Sequence, residues 1–262
     1  MRKDYHIHPQ IIKGQEYFDA FAAQAIAKGL DEICVTDHMP LSTVQAGDRI
    51  PAGRVEDYCR AVREAARSYE GKLSVKLGIE IDFHPDYLDE IDAVLRAGRY
   101  DYVLGSVHLH LNGQWNTFSR LSTYNEYVDE TLKQTVRAAQ CGRFSALAHI
   151  DLYRWVFTQP KRFPLKDDGY SFEKHWSCYD KALNAIRDEG LRLEINPHFA
   201  IPTNDAEITY PEPDIIKMAL KKGLRFSYGS DAHFAEQVGG LLSVLETHPV
   251  YGPAIRKWEE DA

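Results

Sequence analysis

The sequence predicts an α/β fold, a single-domain (β/α)7 barrel of the TIM-like kind over residues 1–262, and three observations support it. Short β-rich runs alternate with amphipathic helical runs along the whole chain, which is typical of βα units that build a parallel sheet. Seven such units divide the 262 residues into about 37 residues each, a usual unit size. No linker or low-complexity tract separates the units, so one core is expected.

The predicted elements follow one another in strict order. In the first unit, Phe18, Phe21 and Ala25 recur at helical spacing, and Gly29 ends the helix. Glycine likewise marks the short turn between each later helix and the strand that follows it. The seven strands are predicted at Lys3–His8, Glu32–Thr36, Leu73–Ile81, Tyr102–Val107, Ser145–Ile150, Leu191–Asn196 and Leu224–Gly229. The seven helices are predicted at Glu16–Lys28, Arg54–Tyr69, Tyr87–Arg96, Asn125–Gln140, Phe172–Asp188, Asp214–Lys221 and Gln237–Leu245.

Three of the loops that lead from a strand to a helix are long. They cover Met39–Gly53, Leu109–Tyr124 and Leu152–Ser171. All three follow the C-terminal end of a predicted strand, and α/β barrels place their active sites at that end. Loop length therefore points to one face of the barrel.

Composition and charge exclude several classes of partner. The 31 basic and 39 acidic residues give a formal net charge of −8, which argues against nucleic acid. A small anionic substrate stays compatible, because bound metal ions add positive charge. No apolar run reaches a membrane span, and the charged start leads into a strand, so we expect no membrane partner and a cytoplasmic location. Four singly scattered cysteines suit reduced thiols.

Metal-type side chains gather at the predicted C-terminal strand ends. His6 and His8 project from the same face of the first strand, because side chains in a strand alternate with period two. Strands two to five and strand seven end with further imidazoles and carboxylates. The full set is His6, His8, His38, Glu80, His108, His149, Asp231 and His233. Core histidines would not favour one end of a barrel so consistently, so the set predicts a metal centre.

The ligand types limit the metal and its surroundings. Imidazole with carboxylate and no thiolate suits zinc, iron or manganese, and eight ligands imply two to three divalent or trivalent ions. Asp37 and Asp151 lie next to His38 and His149 in the sequence. Each could hold a ligand imidazole by a hydrogen bond, or could be a solvated loop-edge aspartate.

At this point the motifs resemble those of the polymerase and histidinol phosphatase (PHP) family, and the resemblance spans nearly the whole chain. Within that family the chain is most similar to the stand-alone histidinol-phosphate phosphatases. The motifs that carry the resemblance are Asp4-Tyr5-His6-Ile7-His8, Thr36-Asp37-His38, Gly78-Ile79-Glu80, Gly105-Ser106-Val107-His108, Ala148-His149-Ile150-Asp151 and Gly229-Ser230-Asp231-Ala232-His233.

The resemblance implies a distorted seven-stranded barrel that holds a metal cluster. It implies that His38 and His233 bind a third ion, and that Glu80 bridges the first two. The ligands implied for the first ion are His6, His8, Glu80 and Asp231, and those for the second are Glu80, His108 and His149. The family usually adds a histidine from the loop after strand one. Here that loop has none, and Gln15 lies nearest the expected place.

The function expected from these residues is hydrolysis of a phosphomonoester, with L-histidinol phosphate of histidine biosynthesis as the leading substrate. Two ions bridged by Glu80 would activate a shared water, and metal-bound hydroxide would attack phosphorus. The catalytic set would be Glu80, Asp231, His233 and His38. Arg154, in a long loop, is the first choice for binding phosphate. Weaker candidates are His198, Lys161, Arg162, Arg49 and Arg120.

Three alternatives remain open at the level of sequence. One is a phosphatase for another small phosphate ester. A second is an amidohydrolase-type enzyme, which also begins with a His-x-His strand but attacks carbon in an amide or lactone and usually has eight strands. A third is a barrel that binds metal or a phosphorylated ligand as a sensor. The sequence does not indicate the oligomeric state.

Overall fold

Seven parallel strands form one sheet in sequential order, β1 to β7. The computed structural model describes residues 1–39, 49–51, 53–109 and 120–260. Every neighbouring pair of strands is parallel, as βα units require. The strands are β1 (Lys3–Ile7), β2 (Glu32–Val35), β3 (Ser74–Asp82), β4 (Tyr102–Ser106), β5 (Ala146–Leu147), β6 (Arg192–Ile195) and β7 (Arg225–Tyr228).

The sheet curls until its first strand meets the chain that follows its last. Ile7 forms an isolated parallel bridge with Ala232. The backbone N–H of His8 donates to the carbonyl oxygen of Ala232 at 2.8 Å, and the N–H of Ala232 donates to that of His6 at 3.3 Å. The result is a nearly closed seven-stranded barrel, which confirms the predicted fold class.

Helices surround the barrel, and two of them were not predicted. They are α1 (Gln15–Ala27), α2 (Val55–Ser68), α3 (Leu88–Ala97), α4 (Tyr124–Gln140), α5 (Tyr153–Phe157), α6 (Trp176–Asp188), α7 (Pro213–Lys221), α8 (Leu242–Thr247) and α9 (Gly252–Glu260). The five residues of α5 are too few for a helical period to show in sequence. Helix α9 begins with Gly252-Pro253, which reads as a turn, although proline also suits the first turn of a helix.

Strand β5 is shorter than predicted, and this changes the position of His149. The predicted strand ran from Ser145 to Ile150, whereas the ladder ends at Leu147. His149 has a φ of 23°, and its backbone N–H donates to Oε2 of Glu194 at 3.0 Å. His149 therefore lies beyond the strand, in a turn held by a side chain of β6.

The other predicted elements agree with the structure to within four residues, except the last helix, which was predicted at Gln237–Leu245 and is observed at Leu242–Thr247. Their apolar faces form one large buried cluster between the sheet and the helices. At the N-terminal end of the barrel, α9 packs on β7 and its Trp258 ring meets Tyr5 edge-on at 4.8 Å. Parts of the predicted loops Met39–Gly53 and Leu109–Tyr124 lie outside the described residues. Among the described helices, none has the length and apolarity needed to cross a bilayer.

Candidate metal centre

The eight predicted ligands lie together at the C-terminal mouth of the barrel. All except His233 are almost completely buried. Ligand residues form several groups of three, and within each group one ligand atom of every residue lies within 4.8 Å of those of the other two. These groups are His6-His8-Glu80, His6-His149-Asp231, Glu80-His108-His149, His8-His38-His233 and His198-Asp231-His233.

Glu80 occupies the centre of the cluster and lies two residues before the C-terminal end of β3. Its Oε2 lies 3.4 Å from Nε2 of His6 and 3.5 Å from Nε2 of His8. Its Oε1 lies 3.6 Å from Nε2 of His149 and 3.9 Å from Nε2 of His108. The two oxygens of one carboxylate therefore face two different pairs of imidazoles, which is the geometry of a bridging ligand.

The separations between His6 or His8 and the two carboxylates suit a metal ion better than hydrogen bonds, whereas Nδ1 of His38 lies closer to Oε2 of Glu80, at 2.6 Å. Two ligand atoms about 2.0–2.2 Å from one tetrahedral ion stand about 3.3–3.6 Å apart. His6 and His8 lie 3.4 and 3.5 Å from Glu80, and 3.6 and 3.3 Å from Oδ1 of Asp231. These values exceed the usual N–H···O length.

Buried atoms that lack a hydrogen bond point to the same conclusion. Within the described part of the chain, Nε2 of His6 and both nitrogens of His8 have no hydrogen-bond partner. Buried polar atoms are rarely left in this state unless an ion or water serves them. The donor set, imidazole nitrogen and carboxylate oxygen, fits zinc or a related transition metal.

The protonation states suit metal ligands. Burial raises the pKa of Glu80 and Asp231, but nearby imidazoles outweigh burial and hold both values well below normal, so both are carboxylates. Burial and the neighbouring His38 and His233 hold the pKa of His8 well below its usual value. Burial opposes the charge on His6 too, yet Glu194 and other carboxylates raise its pKa well above normal. An entering cation would displace that proton.

Two carboxylates that the sequence analysis did not select hold ligand imidazoles. Glu194 on β6 accepts from Nδ1 of His6 at 2.6 Å, and Asp82 accepts from Nδ1 of His108. Each partner leaves Nε2 of its imidazole directed at Glu80, a common arrangement around metals. Asp82 follows Glu80 by two residues on the same strand face, and Glu194 is an acid between Leu193 and Ile195, so both carried a signal in the sequence.

The backbone at Gly229 passes very close to His6 and Glu194. A side chain at Gly229 would collide with Cβ of His6 and with Oε1 of Glu194. Glycine at the end of β7 therefore lets the strand approach the ligand and its carboxylate partner.

The two aspartates proposed to hold ligands have other roles in the structure. Asp37 accepts hydrogen bonds from the backbone N–H groups of Gln10 and Ile11 at 2.9 and 3.1 Å, and so anchors the loop after β1. Asp151 accepts from Nη1 of Arg154 at 3.1 Å and from the backbone N–H of Glu212 at 2.8 Å. Among the described contacts of Asp151 neither alternative is seen, because the side chain is fully buried and these hydrogen bonds do not reach His149.

Arg154, the first choice for phosphate, is engaged away from the mouth. Its Nη1 also donates to the carbonyl oxygen of Thr209 at 3.0 Å, and its guanidinium lies 4.9 Å from the centre of the Tyr210 ring. The side chain is largely buried by these contacts. A cation that already pairs with Asp151 in a buried setting is poorly placed to clamp a substrate, and it is absent from the lining of the mouth cavity.

The mouth cavity has a volume of about 220 Å³ and contains a different arginine. Arg49 donates through Nη1 to Oδ2 of Asp82 at 2.5 Å and to the carbonyl oxygen of Met39 at 2.9 Å. The lining residues are His38, Arg49, Glu80, His108, His149, Leu152, Trp155, His198, Phe199, Asp231 and His233. The weaker candidates Arg49 and His198 therefore lie at the site, whereas Lys161, Arg162 and Arg120 do not line this cavity.

Gln15 does not occupy the place of the missing loop histidine. Its side chain is exposed, and Nε2 donates to Oδ1 of Asp19 one turn along α1 at 3.0 Å. Gln15, the residue nearest the expected place in the sequence, therefore lies away from the cluster, because residue 15 begins a helix whose first turn faces solvent.

Comparison with known proteins agrees with the fold and the motifs. The PHP domain family model matches residues 4–198. The chain is 32% identical over 229 residues to a Deinococcus radiodurans protein named "Probable histidinol-phosphatase", covering 84% of this chain and 81% of that protein. It is 27% identical over 265 residues to a Bacillus subtilis protein named histidinol-phosphatase, covering 91% and 96%.

A solved structure is similar over almost the full length. It is a Lactococcus lactis histidinol phosphate phosphatase in complex with Zn, L-histidinol and phosphate. The TM-score is 0.75 at 21% identity, with 97% of this chain and 93% of that chain covered. With about three quarters of the chain matched by the family model and a relative above 30% identity, the chain belongs to the PHP domain family.

Proposed function

We propose that this chain is a metal-dependent phosphomonoesterase that hydrolyses L-histidinol phosphate to L-histidinol and phosphate. The observation that carries the proposal is the position of Glu80, whose two oxygens face separate imidazole pairs at 3.4–3.9 Å. The names of the Deinococcus radiodurans and Bacillus subtilis relatives, and the ligands of the Lactococcus lactis structure, support this choice of substrate.

The residues at the mouth would hold at least two ions of zinc, iron or manganese. When bound, such ions lower the pKa of a water molecule and offset the negative charge of a phosphoryl group. Glu80 would keep the two metal positions close, because each of its oxygens serves one. His6, His8 and Asp231 would complete the first position, and His108 and His149 the second.

The remaining groups at the mouth would orient the phosphoryl group. His38 and His233 line the cavity, and we infer that they face the non-bridging phosphate oxygens, directly or through a third ion. Among the contacts with described residues, both hydrogen bonds of Arg49 use one guanidinium nitrogen, Nη1. Its other N–H groups are the donors through which Arg49, rather than Arg154, would contact phosphate.

An aromatic wall in the same cavity would contact the leaving group. Trp155 and Phe199 stack with ring centroids 5.5 Å apart and an interplanar angle of 16°. Together with Leu152 they give one side of the mouth an apolar face beside the ligand cluster. A flat imidazole ring on a short alcohol, as in histidinol, suits such a face, because aromatic rings associate through offset stacking.

The test is phosphate release from a panel of phosphomonoesters by protein that is stripped of metal and then reloaded with zinc, manganese or iron. We expect turnover only after reloading, with the highest kcat/KM for L-histidinol phosphate. Turnover that is highest for another ester would leave a phosphatase of different specificity. Hydrolysis of amides or lactones without phosphate release would favour the amidohydrolase reading, which the seven-stranded barrel already disfavours.

A cytoplasmic location stays a prediction that rests on the scattered cysteines. The absence of a nucleic-acid or membrane partner stays a prediction as well.

A further inference from the structure

His198 lies at the mouth of the barrel but belongs to none of the sequence motifs. It lies in the turn after β6 and lines the cavity beside His233. The two rings are 5.4 Å apart, centroid to centroid. One ligand atom from each of His198, His233 and Asp231 lies within 4.8 Å of the other two. Three ligand atoms of metal type thus converge at a point outside the two groups that share Glu80.

Hydrogen bonding fixes the tautomer of His198. Its Nδ1 lies 2.7 Å from the backbone carbonyl oxygen of Asp231. A carbonyl oxygen can only accept, so the proton is on Nδ1 and the lone pair of the neutral ring is on Nε2. The same carbonyl oxygen lies 3.0 Å from Nδ1 of His233. One backbone group therefore orients both imidazoles, and in each ring Nε2 is the nitrogen on the side away from that carbonyl oxygen.

Asn196 forms hydrogen bonds with both His198 and Asp231. Its Oδ1 accepts from the backbone N–H of His198 at 2.9 Å. Its Nδ2 donates to Oδ2 of Asp231 at 3.2 Å and to Oε2 of Glu194 at 3.1 Å. Asn196 is almost completely buried, so the position of His198 is set by a buried network rather than by a solvated loop.

The loop after β1 supplies no competing ligand. Residues 9–14 contain no histidine, cysteine, aspartate or glutamate. Gln15, the next polar side chain, is bonded to Asp19 on the surface. A third metal position therefore has to draw its ligands from elsewhere at the mouth.

We propose that Nε2 of His198 is a ligand of a third metal ion, together with Nε2 of His233 and a carboxylate oxygen of Asp231. This inference rests on the proposed metal cluster. It converts His198 from a candidate phosphate contact into a metal ligand, and it makes Asp231 a link between the first and third positions.

The test is metal titration of the stripped protein with Zn²⁺ in competition with a chromogenic chelator, repeated with Co²⁺ to follow the absorption of the bound ion. The variants are His198→Gln, which keeps a side chain of similar size but loses the imidazole, and His198→Asp, which replaces the imidazole by a carboxylate ligand. Gln15→His is the matched control, because it adds an imidazole where the side chain faces solvent. Circular dichroism of each stripped variant checks that the fold is intact.

We expect three equivalents of metal in the wild type and in Gln15→His. In His198→Gln the weakest of the three ions should bind about 10–100-fold less tightly, and its Co²⁺ band should disappear. His198→Asp should recover part of that affinity. The other two ions should be unaffected.

Three results would overturn the inference. They are three ions of unchanged affinity in folded His198→Gln, only two ions in the wild type, or a gain of the third ion in Gln15→His alone. Each of these leaves the proposed phosphatase intact, since two ions bridged by Glu80 would persist. A wild type that binds no metal would instead defeat the proposed function itself.

Discussion

Replacement of Glu194 by glutamine tests how the metal centre is held together. The carboxylate accepts from Nδ1 of His6 at 2.6 Å through Oε1, and from the backbone N–H of His149 at 3.0 Å through Oε2. Oε2 also accepts from Nδ2 of Asn196 at 3.1 Å. Glutamine has nearly the same shape but only one accepting oxygen, so it cannot serve both sides.

Either orientation of the new amide has a cost. If its oxygen faces His6, its NH2 group faces the donors of His149 and Asn196, and a buried donor left unsatisfied costs about 1–3 kcal/mol. If its NH2 group faces His6, Nδ1 must accept and the proton moves to Nε2, which then cannot bind a cation. Changes at such partners typically cost about 10–100-fold in metal affinity, or about 1.4–2.7 kcal/mol.

The assay is zinc affinity by chelator competition for Glu194→Gln and for a matched control, Glu207→Gln. Glu207 also pairs with a histidine, with Oε1 3.0 Å from Nε2 of His248, but the pair is on the surface. We expect at least tenfold weaker zinc binding in Glu194→Gln and no change in the control. Wild-type affinity in a folded Glu194→Gln protein would refute the reasoning that this carboxylate sets the tautomer of His6.

Three further predictions concern other parts of the molecule. Glu80→Gln should lower both metal content and kcat strongly, and wild-type values for both would exclude Glu80 as the bridge. Arg49→Ala should raise KM for the phosphate ester and cost about 1.5–3 kcal/mol in kcat/KM. Arg154→Ala should leave KM unchanged but lower the free energy of unfolding by about 3 kcal/mol, because it leaves the buried Asp151 without its cationic partner. The reverse pattern would restore Arg154 as the residue that binds phosphate. Burial and the neighbouring Asp151 raise the pKa of Glu212 from 4.5 to about 7. Between these two pKa values the folded state binds a proton that the unfolded state releases, so the free energy of unfolding should fall as the pH rises from 4.5 to about 7. Glu212→Gln should gain about 1–3 kcal/mol over the wild type at pH 8 relative to pH 4, measured by urea denaturation, and equal pH profiles would contradict this.

The sequence predicts the barrel well because its signals are local and repeat. Alternation of strand and helix, with glycine turns such as Gly29, is visible along the chain without tertiary information. The boundary of β5 could not be predicted, because Ser145–Ile150 has a strand-like composition. Only the hydrogen bond from the N–H of His149 to Glu194, on the next strand, shows where the ladder ends.

The metal-type residues were visible in the sequence because barrel topology gathers strand ends at one mouth. Their supporting residues were harder to find, because Glu194 reaches His6 across 188 positions of sequence. The role of Arg154 in binding phosphate stays a prediction that these contacts do not favour. Proximity to His149 in sequence suggested a substrate contact, but the turn of α5 directs the guanidinium to Asp151 and Thr209.

We propose above all that Glu80 joins two metal ions at the mouth of the barrel. The most direct measurement is an anomalous-scattering map from crystals of the zinc-loaded protein. We predict one ion on each side of the Glu80 carboxylate, about 3.5–4 Å apart, with Oε2 bound to the ion of His6 and His8 and Oε1 to the ion of His108 and His149. A single ion, or two ions of which only one contacts Glu80, would contradict the account.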